Sequence, residues 1–152
     1  MKDKQTISTL NNLIETCKDG EYGFKASAEH AVNPQIKDLF LARAQDCRQA
    51  AAELQTIVMQ QGGKPEDSGT ATGTVHRGWV AVKGTLAGYT DLAMLEETER
   101  GEDAALARYR SALKEDLPQD IRSVLEAQLQ GVQRNHDQIR ALRDQHKAAE
   151  TT

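Results

Sequence analysis

Apolar residues return every three or four positions in four separate stretches of this chain, the spacing of helices that each bury one face. In the first stretch Leu10, Leu13, Ile14, Cys17, Glu21, Phe24 and Ala28 form one stripe, predicting a helix from about residue 6 to 31. Asn33-Pro34 ends it and starts the next, because Asn caps a helix N-terminus well and Pro fits the first helical position, where its missing N–H costs nothing. The second stripe, Ile36, Phe40, Cys47, Ala51, Leu54 and Val58, stops at Gly62-Gly63-Lys64-Pro65, a C-terminal glycine followed by proline. Leu92, Leu95, Glu99, Glu102, Leu106, Tyr109 and Leu113 mark a third helix. Pro118 opens a fourth, with Ile121, Leu125, Leu129, Val132, His136, Ile139 and Leu142 on its inner face. Turns as short as those at Pro34 and Pro118 force antiparallel hairpins.

The two hairpins resemble each other. Without a gap, Ile36 to Ile57 runs beside Ile121 to Leu142, pairing Ile36 with Ile121, Phe40 with Leu125, Cys47 with Val132 and Leu54 with Ile139. Asp19-Gly20-Glu21 in the first half is matched by Arg100-Gly101-Glu102 in the second. The organisation expected is one domain over 1–152: hairpin 1 at about 6–61, a crossover at about 62–89 and hairpin 2 at about 90–147. The crossover has to run back along a helix about 40 Å long, given 1.5 Å per residue. Its first part, 62–73, has loop composition, and residues 74–87 have short helical character interrupted by Gly78 and Gly84. Trp79 is expected to pack this segment onto the bundle.

Composition agrees with a helical bundle and excludes several functions. The chain has 152 residues, three prolines and 4% aromatic residues, enough length to bury a core without disulfides or structural metal. A formal charge of −4 and no Lys/Arg run give no footprint for nucleic acid or anionic lipid. No apolar run approaches the ~20 residues of a membrane span, and no signal-peptide core precedes the first helix, so a cytoplasmic protein is expected. Cys17 and Cys47 lie on apolar faces, where free thiols act as small hydrophobes. No phosphate-binding, dinucleotide, nucleophile-elbow or paired C-x-x-C motif occurs.

Polar residues within the inner stripes are the candidate chemistry. Glu21 lies 13 residues before Pro34 and Arg48 14 after it; Glu102 lies 16 before Pro118, and Gln133 and His136 lie 15 and 18 after it. Level heights predict one central cluster of Glu21, Arg48, Glu102, Gln133 and His136, with Glu99 one turn away. Three readings follow, one of them a small-ligand site or side chains that do not meet. Arg48 bridges the carboxylates, with Gln133 and His136 completing a buried polar network; or Glu21, Glu102, His136 and Glu99 hold a single metal ion, for which carboxylates with imidazole suit iron, manganese or zinc.

The duplicated hairpins, the long crossover and one inward glutamate on each first helix resemble the ferritin-like superfamily. Its dinuclear site takes Glu from two helices and Glu-x-x-His from the other two. The phrases Asp19-Gly20-Glu21-Tyr22-Gly23, His76-Arg77-Gly78-Trp79 and Glu99-Arg100-Gly101-Glu102-Asp103, with Leu117-Pro118, are similar to a small bacterial four-helix-bundle branch described as a domain of unknown function. The resemblance implies an all-α, ferritin-like up-down four-helix bundle whose crossover carries a short extra helix. Glu21 and Glu102 match the single glutamates, but the Glu-x-x-His positions hold Gln133 and His136 on the fourth helix and Arg48 and Ala51 on the second. A degenerate site follows. The expectation is a non-catalytic protein, structural or stress-associated, without a cofactor and acting through self-association or an unidentified protein partner. The alternative is a metal-dependent redox or metal-binding protein with one divalent ion.

Overall fold

The computed structural model describes residues 2–69 and 90–150. Among them are four helices: α1 Lys2–His30, α2 Pro34–Gln60, α3 Asp91–Ala112 and α4 Gln119–Glu150. The expected crossover helix, with His76 and Trp79, lies outside the described residues.

Each boundary has a local cause. Asn33 Oδ1 accepts hydrogen bonds from the backbone N–H groups of Gln35 (2.8 Å) and Ile36 (3.3 Å), satisfying two of the donors a helix start leaves unpaired. At the end of α2, Gly62 takes φ +81°; its N–H donates to Met59 O and that of Gly63 to Val58 O, both at 3.0 Å, the paired bonds of a Schellman stop. Thr90 caps α3 by accepting from Ala93 N–H at 3.0 Å. Arg122, in the first turn of α4, donates to the carbonyls of Leu113 and Glu115, both at 2.7 Å, and so closes the C-terminal end of α3.

Contacts between the hairpins fix their directions. Asp91 accepts from Val32 N–H (2.8 Å) and Asn33 N–H (2.9 Å), placing the start of α3 beside the α1–α2 turn. Gln5 at the other end of α1 donates to Glu115 at 2.7 Å. Helix α3 is therefore antiparallel to α1 and parallel to α2. Helix α1 packs closely on α2 and on α3, and α3 on α4, whereas α2 and α4 touch sparsely.

The apolar core is divided. One cluster, around Leu10, Leu13, Leu54, Val58, Ile121 and Leu125, fills the end near the α1 N-terminus. A second, around Phe24, Phe40, Ile36, Met94, Leu95 and Ile139, fills the opposite end. The duplication explains the exchange: Ile36 and Leu54 belong to opposite clusters, and their counterparts Ile121 and Ile139 are swapped between them, as a two-fold axis through mid-bundle demands.

Candidate metal centre

Mid-bundle, between the two clusters, holds a buried ion pair. Arg43 donates from Nε (3.2 Å) and Nη2 (2.9 Å) to Glu102 Oε1 and from Nη1 to Asp46 at 3.0 Å, and its guanidinium lies over the Phe24 ring at 5.4 Å, a cation–π position. Arg43 and Glu102 are both nearly sealed from water. Burial opposes the Arg43 charge, but the charge and hydrogen bonds of Glu102 outweigh it and lift the guanidinium pKa. Burial pushes the Glu102 carboxyl up despite the opposing pull of Arg43.

The expected cluster is redistributed. Arg48 is exposed and is not the cation of the centre; Arg43 is. The stripe on α2 runs Ile36, Phe40, Arg43, Ala44, Cys47, Ala51, so residue 48 sits a further 100° around the helix from Cys47. Gln133 is half-buried and pairs elsewhere, accepting from Arg110 and donating to Asp137, both at 2.9 Å. Glu21 is half-buried, and the inward place on that turn belongs to Gly20, where an added Cβ would stand 2.9 Å from Cys47 Sγ. In the ungapped repeat, Arg43 corresponds to Gln128, so the half of the bundle that would draw Glu21 inward has no cation to do it. Gln128 instead accepts from Tyr109 Oη and donates to Glu53, both at 2.7 Å.

Glu99 and His136 meet on another face of α3. Glu99 and Asp103 are four residues apart and therefore share a helix face, which α4 covers with His136. One donor atom from each of Glu99, Asp103 and His136 lies within 4.8 Å of the others. Glu99 and His136 are buried and Asp103 is exposed. Glu102 points away from this group toward α2, so the two glutamates placed on one stripe serve separate sites. Asp103, absent from the expected ligands, lies one helical turn after Glu99, as Glu102 also does, and is singled out only by the face of α3 that carries Glu99 toward His136.

His136 carries the informative geometry. Its Nδ1 is 3.2 Å from Asp137 Oδ1, and hydrogen bonds from His136 and then Gln133 hold the Asp137 carboxyl below the usual range. Carboxylates stand at both ring nitrogens, Asp137 at Nδ1 and Asp103 at Nε2; a proton held on Nδ1 by Asp137 would free Nε2 as a metal donor, the carboxylate–histidine arrangement that supports metal ligands. His136 is 7% exposed, and Nε2 is buried without a hydrogen-bond partner. Asp103 Oδ1 stands 2.6 Å from it. On the far side Arg143 donates through Nη1 to both oxygens of Glu99, one at 2.7 Å, and through Nη2 to Asp144 at 2.8 Å.

Residues 5–115 match the family described as Domain of unknown function (DUF2383). The chain belongs to this family. No curated protein matches it. Among solved structures, this DUF2383 member is similar to a variant of Dps1 from Mycobacterium smegmatis, with 16% identity, a TM-score of 0.77, and coverage of 93% of this chain and 97% of that one. It is also similar to the dodecameric thioferritin, a bacterioferritin-related protein, from Bacteroides fragilis, with 15% identity, a TM-score of 0.75, and coverage of 98% and 90%. The fold is a ferritin-like four-helix bundle. Among the described residues no helix is long and apolar enough to cross a membrane.

A dinuclear centre at mid-bundle does not fit these residues. Arg43 already engages Glu102, and a permanent guanidinium opposes divalent cations beside it. A single ion fits at Glu99, Asp103 and His136. Donors around a tetrahedral ion at about 2.1 Å stand about 3.4 Å apart, inside the 4.8 Å that spans the observed group.

Proposed function

We propose that this protein is a divalent-metal-binding ferritin-like bundle, with one ion held by Glu99, Asp103 and His136 and no metal at its centre. The observation that carries this reading is the convergence of Glu99, Asp103 and the buried His136, one donor atom of each within 4.8 Å of the others, with His136 Nε2 2.6 Å from Asp103 and in no hydrogen bond. Buried polar atoms are nearly always satisfied, and a cation accepts this lone pair while offsetting the carboxylate charges. Two carboxylates with one imidazole suit manganese, iron or zinc. When bound, such an ion supplies Lewis-acid character, with one-electron chemistry added for iron or manganese. The chain itself sets the His136 tautomer through Asp137 and holds Glu99 through Arg143. Self-association in a cytoplasmic setting goes with this reading; it is suggested by the dodecameric relative.

A metal-free structural role is the second reading, favoured by the grip of Arg143 on Glu99. One experiment separates the two. Purified protein is loaded with manganese(II), zinc(II) or iron(II) without oxygen, desalted and analysed for metal beside His136→Ala and Asp103→Asn. Retention of about one ion per chain, lost in His136→Ala and weakened in Asp103→Asn, supports the metal site. No retained ion, or equal retention in His136→Ala, overturns it.

A further inference from the structure

Between the two apolar clusters lies a cavity of about 530 Å³, lined by side chains from all four helices. It is a cleft, rimmed by the exposed Asp46, Glu53, Ala104 and Arg134 and floored by the buried Phe24, Arg43, Glu102 and Tyr109, and its volume falls in the range of about 300–1,000 Å³ typical of sites for organic ligands. Its cause is compositional. Gly20, Gly101, Gly131, Ala50, Ala104 and Ala105 contribute wall but little bulk, at the level where α2 and α4 separate. The metal-site residues Glu99, Asp103 and His136 are not part of the wall, so this space is independent of the proposed centre.

Wall chemistry restricts the occupant. The charges nearly cancel, three arginines against four carboxylates, and the most deeply buried pair, Arg43 with Glu102, is already joined by two hydrogen bonds. A charged guest would lose its hydration and gain no net partner. Phe24, Val132 and Cys47 supply apolar wall. Tyr109 Oη donates to Gln128 at 2.7 Å and so accepts from Cys17 Sγ at 3.3 Å, which leaves its second lone pair for a hydroxyl. We infer that the cavity binds one neutral, mainly apolar organic molecule, with a hydroxyl group directed to Tyr109.

The test uses 2-naphthol, neutral at pH 7 and fluorescent, with naphthalene-2-sulfonate as the anion of the same ring system. Titrated into the full-length protein, 2-naphthol is expected to bind saturably and at least tenfold more tightly than the sulfonate. Gly131→Leu fills the space from a position where an added Cβ meets only Arg134 Nη2 at 3.8 Å; it is expected to weaken 2-naphthol at least tenfold while the helical circular dichroism is retained. Ala105→Leu is a second block should the first variant fail to fold. No saturable binding by the unaltered chain, equal binding of the sulfonate, or undiminished binding by a folded blocked variant overturns the inference.

Discussion

Arg43→Met removes the cation at the bundle centre and keeps most of its apolar stem. Three hydrogen bonds disappear, two to Glu102 and one to Asp46, with the contact to the Phe24 ring. Glu102, 3% exposed, is left as a buried charge without its counter-ion. Breaking such a pair costs about 3–5 kcal/mol, but the carboxylate can escape by taking up a proton. From its ordinary value of 4.5 to pH 7, at about 1.4 kcal/mol per pH unit, protonation costs about 3.4 kcal/mol. This limits the charge penalty, so the variant should lose about 3–4 kcal/mol at pH 7. At about 2–4 °C per kcal/mol for a chain of this length, Tm falls by roughly 10 °C. The pH dependence has a definite sign. Burial already holds the folded Glu102 pKa above its unfolded value, so its contribution to stability is full below about 4.5 and is lost as pH rises through the folded value. Removing Arg43 raises the folded value further, so the deficit of the variant should grow from near pH 4.5 up to pH 7. Urea unfolding followed by far-ultraviolet circular dichroism at pH 5, 6 and 7 measures this directly. A deficit independent of pH, or a Tm within about 2 °C of the unaltered protein at pH 7, refutes the argument. The double variant Arg43→Met/Glu102→Met should recover most of the loss, since apolar replacement of both partners is often neutral or stabilising.

Other outcomes follow from single contacts. Gly131→Ala should raise Tm by about 2–4 °C, because a mid-helix glycine costs about 1 kcal/mol relative to alanine; a lower Tm would show a clash not present at its 3.8 Å neighbour. Tyr109→Phe, which abandons the bonds to Gln128 and Cys17, should cost about 1 kcal/mol in urea unfolding, and no change would remove Tyr109 from the mid-bundle polar chain. Burial raises the Cys17 thiol to about 11 and the Cys47 thiol further still, so maleimide labelling at pH 7.5 should be slow until denaturant is added. Labelling of the folded protein at the rate of a free thiol would contradict the burial of Cys17 and the raised thiol pKa of both. Asp91→Ala leaves the N–H groups of Val32 and Asn33 without their acceptor and should lower stability by about 1–2 kcal/mol; a smaller loss in urea would mean that the junction between hairpins is held elsewhere.

The helices were legible because their signals are local: the asparagine cap with Pro34, the glycine stop at Gly62 and the three-and-four spacing of apolar residues each act within a few positions. The candidate site needed more. Counting residues from the turns gives height along a helix but not direction around it, and each residue turns the chain by about 100°. Height alone selected Arg48, whereas the inward direction belongs to Arg43, which continues the stripe from Ile36 and Phe40. Arginine on an apolar stripe is easily assigned to solvent, because charged residues are almost never fully buried unless paired. Its partner Glu102 was visible, but the pairing joins residues 59 apart in sequence and depends on the parallel placement of α2 and α3, which only the long-range packing sets. Glu99 and His136 were recognised as candidates, and the missing member, Asp103, required knowing which face of α3 meets α4.

The central ion pair also accounts for where the metal candidate lies. A two-fold bundle built from duplicated hairpins would present equivalent carboxylates from α1 and α3 at its axis, yet the repeat is unequal at one decisive position: Arg43 in one half, Gln128 in the other. The arginine draws Glu102 inward and neutralises it, while the glutamine carries no charge, pairs with Tyr109 and Glu53 and leaves Glu21 half-buried. Carboxylates available to a cation are then those on the α3 face that Arg43 does not reach, Glu99 and Asp103. Arg143 competes there, but it is anchored by Asp144 and retains more exposure than Arg43, so a divalent ion can displace it from Glu99 without stranding a charge in the interior. Arg143→Gln should therefore raise the affinity for manganese(II) several-fold, read by competitive titration with a chelating dye. Equal or weaker binding would show that Arg143 supports the site instead of competing for it, and that charge competition at Glu99 is not what governs access.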